Sequence, residues 1–238
     1  MRYALAALVF IGLWVAIAVG IGVGGSLFKT PSTEQTGKES GGSRDQQQPS
    51  LQCFLGYTIF QEDFEYTDDI VNHGWVRLST AGSTLTQPDI VTQGSLALKM
   101  SDSSSSSVSA YTHTIPTLGE DFQFDFDLLT EQYGQRVGIQ LWGGRFQGIN
   151  VELSDQDNRK FRIQDEYYFV HQLNKWYHVR LMVKPAMQSF DAYVDDMNNP
   201  LAKDIKFFEA SFGTIAIATA TGGTGAGYWD SIAIKKCL

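Results

Sequence analysis

Beyond residue 50, apolar residues recur at every second position over much of the chain, which is the period of a half-buried β-strand. Tyr177, Val179, Leu181 and Val183 alternate with His178, Arg180, Met182 and Lys184. Pro185 lacks a ladder donor and ends that run. Phe190, Ala192 and Val194 then alternate with Ser189, Asp191, Tyr193 and Asp195, so the pair predicts an antiparallel hairpin. The cleanest strand has Phe122, Phe124, Phe126 and Leu128 on one face and Gln123, Asp125 and Asp127 on the other. Shorter runs follow the same rule: Leu96, Leu98 and Met100; Val137, Ile139 and Leu141; Ile149, Val151 and Leu153; Phe161 with Ile163; and Ile215 with Ile217. Ser103 to Ser107 buries nothing and reads as a loop, and Ser154 to Asn158 and Gly222 to Gly225 read as turns. Helical periodicity is missing after residue 50, apart from one turn expected around Lys206 to Ala210. These patterns predict an all-β fold of two packed antiparallel sheets.

The first 50 residues differ in kind. No charged residue lies between Arg2 and Lys29, and about 20 apolar residues of helix cross the roughly 30 Å of a bilayer core. Residues 1–28 are therefore expected to be a transmembrane anchor, with residues 3–27 in the membrane. The alternative is a signal segment cleaved near Ala18, since Ala16-Ile17-Ala18 offers small residues after a short apolar run, and the protein would then be secreted. Either way the remainder is expected to be extracytoplasmic. Residues 29–50 hold Ser, Gly, Gln and Thr and nothing to seed a core, so they read as a flexible polar linker. Residues 51–238 form the folded domain, long enough for its own core.

A family resemblance enters on particular motifs. Trp176-Tyr177-His178-Val179-Arg180, a short turn, and a strand ending in Tyr193-Val194-Asp195 resemble the central hairpin of concanavalin A-like and laminin-G-like jelly rolls. Glu62-Asp63-Phe64-Glu65 followed by Gly74-Trp75, the run Gly94-Ser95-Leu96-Ala97-Leu98, and the late Gly227-Tyr228-Trp229-Asp230 are similar to the opening, following and closing strands of jelly-roll carbohydrate-binding modules. The resemblance implies a two-sheet jelly-roll sandwich whose first and last strands are neighbours. It would then bring together the two cysteines of the chain, Cys53 and Cys237, as a disulfide in an oxidising compartment; two unrelated thiols are the alternative. It also implies a structural Ca²⁺ held by Asp63, Glu65 and Asp230. Asp230 shares its parity with Ile232 and Ile234, so a regular strand would aim it at the core, where it needs a cation or several donors. The other reading of Asp230 is a carboxylate accepting backbone amides at a strand end.

Charge and chemistry narrow the function. A net charge of −8 disfavours nucleic acid as a partner. Glycosidases of this architecture carry a Glu-x-Asp-x-x-Glu strand, which is missing here; Asp125 and Asp127 share a face but read as the solvated side of the Phe row. His73, His113, His171 and His178 have no zinc spacing, no serine sits in a Gly-x-Ser-x-Gly elbow, and His178 reads as a packed strand residue, so no catalytic residue is assigned. Sugar recognition needs aromatic rings and polar side chains off the core parity. The candidates are Trp142, Arg145, Tyr133, Tyr167 and Tyr168, with Trp142 on the polar parity after Leu141. The expectation is a membrane-tethered binding or adhesion module for a glycan or a surface protein. A glycan-processing enzyme of the same fold, such as a keto-disaccharide hydrolase, glycosidase or lyase, and a structural subunit of a surface assembly are the alternatives.

Overall fold

The computed structural model describes residues 56–79, 82–87, 90–102, 108–132, 134, 136–144, 146–154, 160–220 and 225–237. They form two antiparallel sheets. The first contains β1 (Tyr57–Glu62), β3 (Gly82–Gln87), β4 (Ala97–Asp102), β6 (Phe122–Thr130), β11 (Tyr177–Lys184), β12 (Ser189–Val194), β13 (Ala202–Lys206) and β15 (Gly225–Lys236). The second contains β2 (Trp75–Arg77), β5 (Ser109–Leu118), β7 (Arg136–Gly143), β8 (Phe146–Ser154), β9 (Lys160–Ile163), β10 (Glu166–Val170) and β14 (Phe212–Ala220). The first sheet runs β13-β12-β11-β6-β15-β4-β3, and β1 also pairs with β15; the second runs β10-β9-β8-β7-β14-β5-β2.

The alternating runs become the two inner faces. Phe122, Phe124, Phe126 and Leu128 on β6 face Val183, Leu181, Val179 and Tyr177 along β11. Against them packs the second sheet's inner row, Val137, Ile139 and Leu141 with Ile149, Val151, Leu153, Ile215 and Ile217, all in one buried cluster. The expected hairpin is present: β11 and β12 pair from Val179 opposite Val194 to Lys184 opposite Ser189. Pro185 ends β11 and opens a short 3-10 helix, Pro185–Met187. First and last strands are neighbours, with Tyr57 opposite Lys236. Buried Glu62 fastens the start of the domain, accepting from the Phe64 amide and the Trp75 indole at 3.0 Å each.

Several expectations are corrected. Residues 206–210 form no helical turn; the short helices lie at Ile70–His73 and Pro185–Met187. In the first, Gly74 closes the turn at φ +88 and Asp69 caps it, a local turn chemistry that carries no hydrophobic period. Asp230 does not point to the core. Ser231 sits at φ +52 in a register shift between Asp230 and Ala233, so Trp229 and Ile232 are both inward while Asp230 lies opposite Asp127 on the outward face. A bulge inserts one residue and inverts the parity on one side of it. Asp125 and Asp127 are not a solvated face either, being 6% and 3% exposed.

The anchor at residues 3–27, the linker at 29–50 and Cys53 lie outside the described residues. Among the described residues no helix is long and apolar enough to cross a membrane, and no cysteine is free.

The aromatic row on β6 sets the stability. Phe126 is fully buried, with its neighbour Phe124 at a ring separation of 4.9 Å. Phe126→Ala is expected to lower unfolding stability by about 3–5 kcal/mol, measured by urea denaturation, whereas Phe208→Ala, at an exposed loop position, is expected to change it by less than about 0.5 kcal/mol.

Candidate functional site

The outward face of the first sheet carries a chain of polar side chains set by strand register. On β6 and β11, Asp127 stands opposite His178 and Asp125 opposite Arg180. Both pairs close: His178 Nδ1 lies 2.6 Å from Asp127 Oδ1, and Arg180 Nε donates to Asp125 Oδ1 at 2.7 Å. Gln123 Nε2 adds a second donor to Asp125 at 2.5 Å. Thr92 Oγ1 reaches Asp127 Oδ2 at 2.6 Å and Asp230 Oδ2 at 2.7 Å, and its one proton serves one of them at a time. Asp230 is further held by the amides of Thr92, Gln93 and Ser231. Burial pushes its carboxyl above the usual range, against the pull of those donors.

Beside this chain the sheet forks. The first half of β15 pairs with β4 and the second half with β1, and the bulge at Ser231 falls between them. The opening is a cleft of about 420 Å³, lined by Thr58, Gln61, Asp63, Glu65, Gln93, Gly94, Asp125, His178, Arg180, Ser231, Ala233 and Lys235. Its rim is fixed by Glu65, whose Oε1 accepts the amides of Ser95 and Leu96 at 2.6 and 2.9 Å. Gly94 adopts φ +66 beneath it, and a β-carbon there would collide with that carboxylate.

Three consequences follow for chemistry. First, among the described residues no three His, Cys, Asp or Glu side chains, Asp63, Glu65 and Asp230 included, are grouped for a metal ion. Glu65 Oε1 and both Asp230 oxygens accept backbone amides, and Asp63 Oδ1 accepts the Glu65 amide. Second, His178 is more than a packed strand residue. Its Nδ1 is pinned by a buried carboxylate, Nε2 has no partner among the described residues, and the ring lines the cleft. The bond to Asp127 is the main cause that raises its pKa, and burial opposes it. Third, Arg180 keeps its terminal guanidinium nitrogens, and Lys235 its ammonium, unbonded among the described residues, and both line the cleft.

The aromatic candidates fall on the second sheet. Trp142 has the outward parity expected for it but is 5% exposed, its indole donating to Gln140 Oε1 at 2.9 Å, so it offers no open stacking face. It begins a buried polar chain in which Gln140 donates to Asn150, Asn150 to Glu152, and Arg162 to Glu152 at 2.9 Å. Tyr167, opposite Arg162 on β10, is 38% exposed and stacks against the Arg162 guanidinium. Tyr168 turns toward the core instead, and its hydroxyl, donating to Glu166, is pushed up to about 12 by burial and then by that carboxylate. Tyr133 and Arg145 lie outside the described residues. Trp142 and Tyr167 thus share one face, away from the cleft. The cleft residues His178, Arg180, Gln61 and Lys235 were missed. The available signal was the equal two-residue spacing of Asp125/Asp127 and Arg180/His178 on two strands of opposite charge, which cross-strand pairing brings face to face.

No family model and no curated protein matches this chain. Solved structures do match in fold. A cellulose-induced protein superposes with a TM-score of 0.55 at 10% identity, covering 74% of this chain and 96% of its own. An endo-β-1,4-glucuronan lyase from the fungus Trichoderma reesei gives 0.51 at 14%, covering 76% and 96%. A sialidase gives 0.52 at 17% over 72% of this chain, which spans only 18% of that larger protein. These likenesses show a shared β-sandwich.

The Asp127 bond is expected to hold the His178 imidazole midpoint above the ordinary 6.5, read by NMR titration of its ring, and Asp127→Asn is expected to bring it down. Because the folded pKa is raised, the stabilisation is fully present below about pH 6.5 and lost as pH climbs through the folded value. A His178 midpoint unchanged by Asp127→Asn would remove the pairing from the account.

Proposed function

We propose that this chain is a membrane-tethered, extracytoplasmic module that recognises glycan, with the sugar held in the cleft on the outward face of the first sheet. One observation carries the reading: a cleft of about 420 Å³ lined almost wholly by hydrogen-bonding side chains, among them Gln61, Gln93, Asp125, Arg180 and Lys235. Sugar hydroxyls both donate and accept, so they suit a wall that mixes amide, carboxylate and cationic groups. A protein partner would call for an apolar centre ringed by polar groups, and no large apolar side chain lines this cleft. The fold shared with a glucuronan lyase and a sialidase supports a glycan role at the level of architecture. The apolar run at residues 3–27 supports the tether.

A second reading, a glycan-processing enzyme, is favoured by His178. A neutral imidazole donating from Nδ1 to a buried Asp leaves Nε2 as a proton acceptor facing the cleft.

Both readings meet in one experiment on a panel of polysaccharides. Saturable binding weakened tenfold or more by Gln61→Ala with Gln93→Ala, without new chain ends, is expected of a binding module. New reducing or unsaturated ends that vanish in His178→Ala would establish the enzyme. Binding lost instead in Tyr167→Ala, with the cleft variants unaffected, would move the site to the second sheet.

A further inference from the structure

The donors left over in this cleft specify the chemistry of what it holds. Arg180 is fixed by one bond through Nε to Asp125, which leaves both terminal nitrogens of the fork available among the described residues. Lys235 stands on β15 opposite Gln123, on the same outward face, with no ion pair among the described residues. His178 presents an unpartnered Nε2 two residues from Arg180 on β11. The acidic groups around them are mostly occupied. Asp125 takes Arg180 and Gln123, Asp127 takes His178 and Thr92, and Glu65 takes two backbone amides. A ligand entering the cleft therefore meets spare donors grouped on β11 and β15, while the acceptors open among the described residues, Asp63 Oδ2 and Glu65 Oε2, belong to the segment on the other side.

We propose that the cleft recognises an acidic sugar, its carboxylate received by the Arg180 guanidinium and the Lys235 ammonium, with His178 as a third donor when protonated. This rests on the reading of the cleft as a glycan site and goes further in naming a uronic acid as the class of unit bound. The planar fork of Arg180, held by Asp125, is pre-oriented for a carboxylate, while Lys235 supplies a movable point charge. His178 adds pH dependence. The groups that face it are Asp127 and Asp125 from β6, Arg180 on its own strand, and Asp195 beyond β12, which accepts the His178 amide and pairs with Lys175; Asp230 stands behind Thr92, and Asp63, Glu65 and Lys235 lie across the cleft. Of these, Asp127 and then Asp125 raise the imidazole's pKa, against burial and Arg180. A carboxylate ligand is accordingly held more tightly at low pH and released as His178 loses its proton.

The test uses the full chain in detergent, with tetramers of glucuronic and galacturonic acid and the same tetramers after reduction of their carboxyls to primary alcohols. Calorimetry is expected to show at least one acidic tetramer bound tenfold or more tightly than its reduced form. Arg180→Gln and Lys235→Gln are each expected to weaken the acidic tetramer tenfold and the reduced one, which loses only a hydroxyl contact, by threefold or less. Affinity is expected to fall from pH 5.5 to 8.5 in the wild type and to stay level in His178→Gln, and unchanged melting curves separate these effects from unfolding. Equal binding of acidic and reduced tetramers would overturn the carboxylate assignment while leaving glycan recognition standing. If neither acidic nor neutral tetramers nor the polysaccharide panel bind, the glycan reading falls and this inference with it. Should Arg180→Gln fail to fold, Arg180→Lys provides the second variant: a retained fold with weakened acidic binding supports the fork, and unchanged binding by Arg180→Lys and Lys235→Gln together overturns it.

Discussion

The burial of one face of β6 constrains nearly everything else in the domain. Because successive side chains of a strand point to opposite faces, fixing Phe122, Phe124, Phe126 and Leu128 in the core commits Gln123, Asp125 and Asp127 to the other side. The same rule on β11 commits His178 and Arg180 outward when Tyr177, Val179 and Leu181 go in. A slip of one residue between these strands would turn four aromatic or aliphatic side chains to solvent and drive charges into the core. At about 25 cal/mol per Å² of apolar surface, losing even two buried phenylalanines outweighs any pair of surface ion bridges. The core therefore sets the register, and the two ion pairs are its by-product on the far face. Their energetic weight is asymmetric: the intact pairs add little, but an unpaired Asp127, nearly sealed from water, is expensive to leave alone.

A second constraint comes from β15, which has to serve two partners. Its first half runs beside β4 and its second beside β1. Continuing a regular strand through the change would have put Asp230 among Ile232 and Ile234, where a carboxylate has no donors. The extra residue at Ser231, in the left-handed region, flips the parity so that Asp230 meets Thr92, Gln93 and the Ser231 amide on the outward side. The same bulge lines the cleft through Ser231, with Ala233 and Lys235 beyond it. One local departure from pleating thus gives a buried charge its donors and places Ser231 in the cleft wall.

Alternation made the all-β character, the inner faces and the β11–β12 hairpin readable from the sequence, because long apolar rows such as that on β6 have no other low-energy arrangement. Strands at the sheet edges were harder. On β10, Glu166–Val170, Tyr167 and Phe169 fall on opposite faces across a register shift, and β13, Ala202–Lys206, is mostly polar, so neither shows a clean period of two. Trp142 had the correct parity, but sequence could not say that the Gln140 to Arg162 chain beside it would leave it 5% exposed. The cleft was illegible for a different reason. It is assembled from β1, β6, β11, β15 and the segment around Gly94, and only the pairing order of the sheet brings these together.

The two outward faces show how burial separates structural polar groups from available ones. On the second sheet the chain from Trp142 to Arg162 is buried, each member bonded to the next, with Glu152 almost wholly buried between Arg162 and Arg136. Such a network gains by staying intact, since a ligand could displace one of its bonds only by replacing it with an equal one. On the first sheet each carboxylate has a donor within reach of both oxygens, while its basic partner keeps donors to spare: Asp127 meets His178 and Thr92 and His178 is bonded at one ring nitrogen, Asp125 meets Arg180 and Gln123 and Arg180 is bonded through Nε alone. The arrangement holds the cations in place without consuming their capacity. A surface built that way is pre-organised for an incoming acceptor, and the ordering entropy of the side chains has already been met by folding.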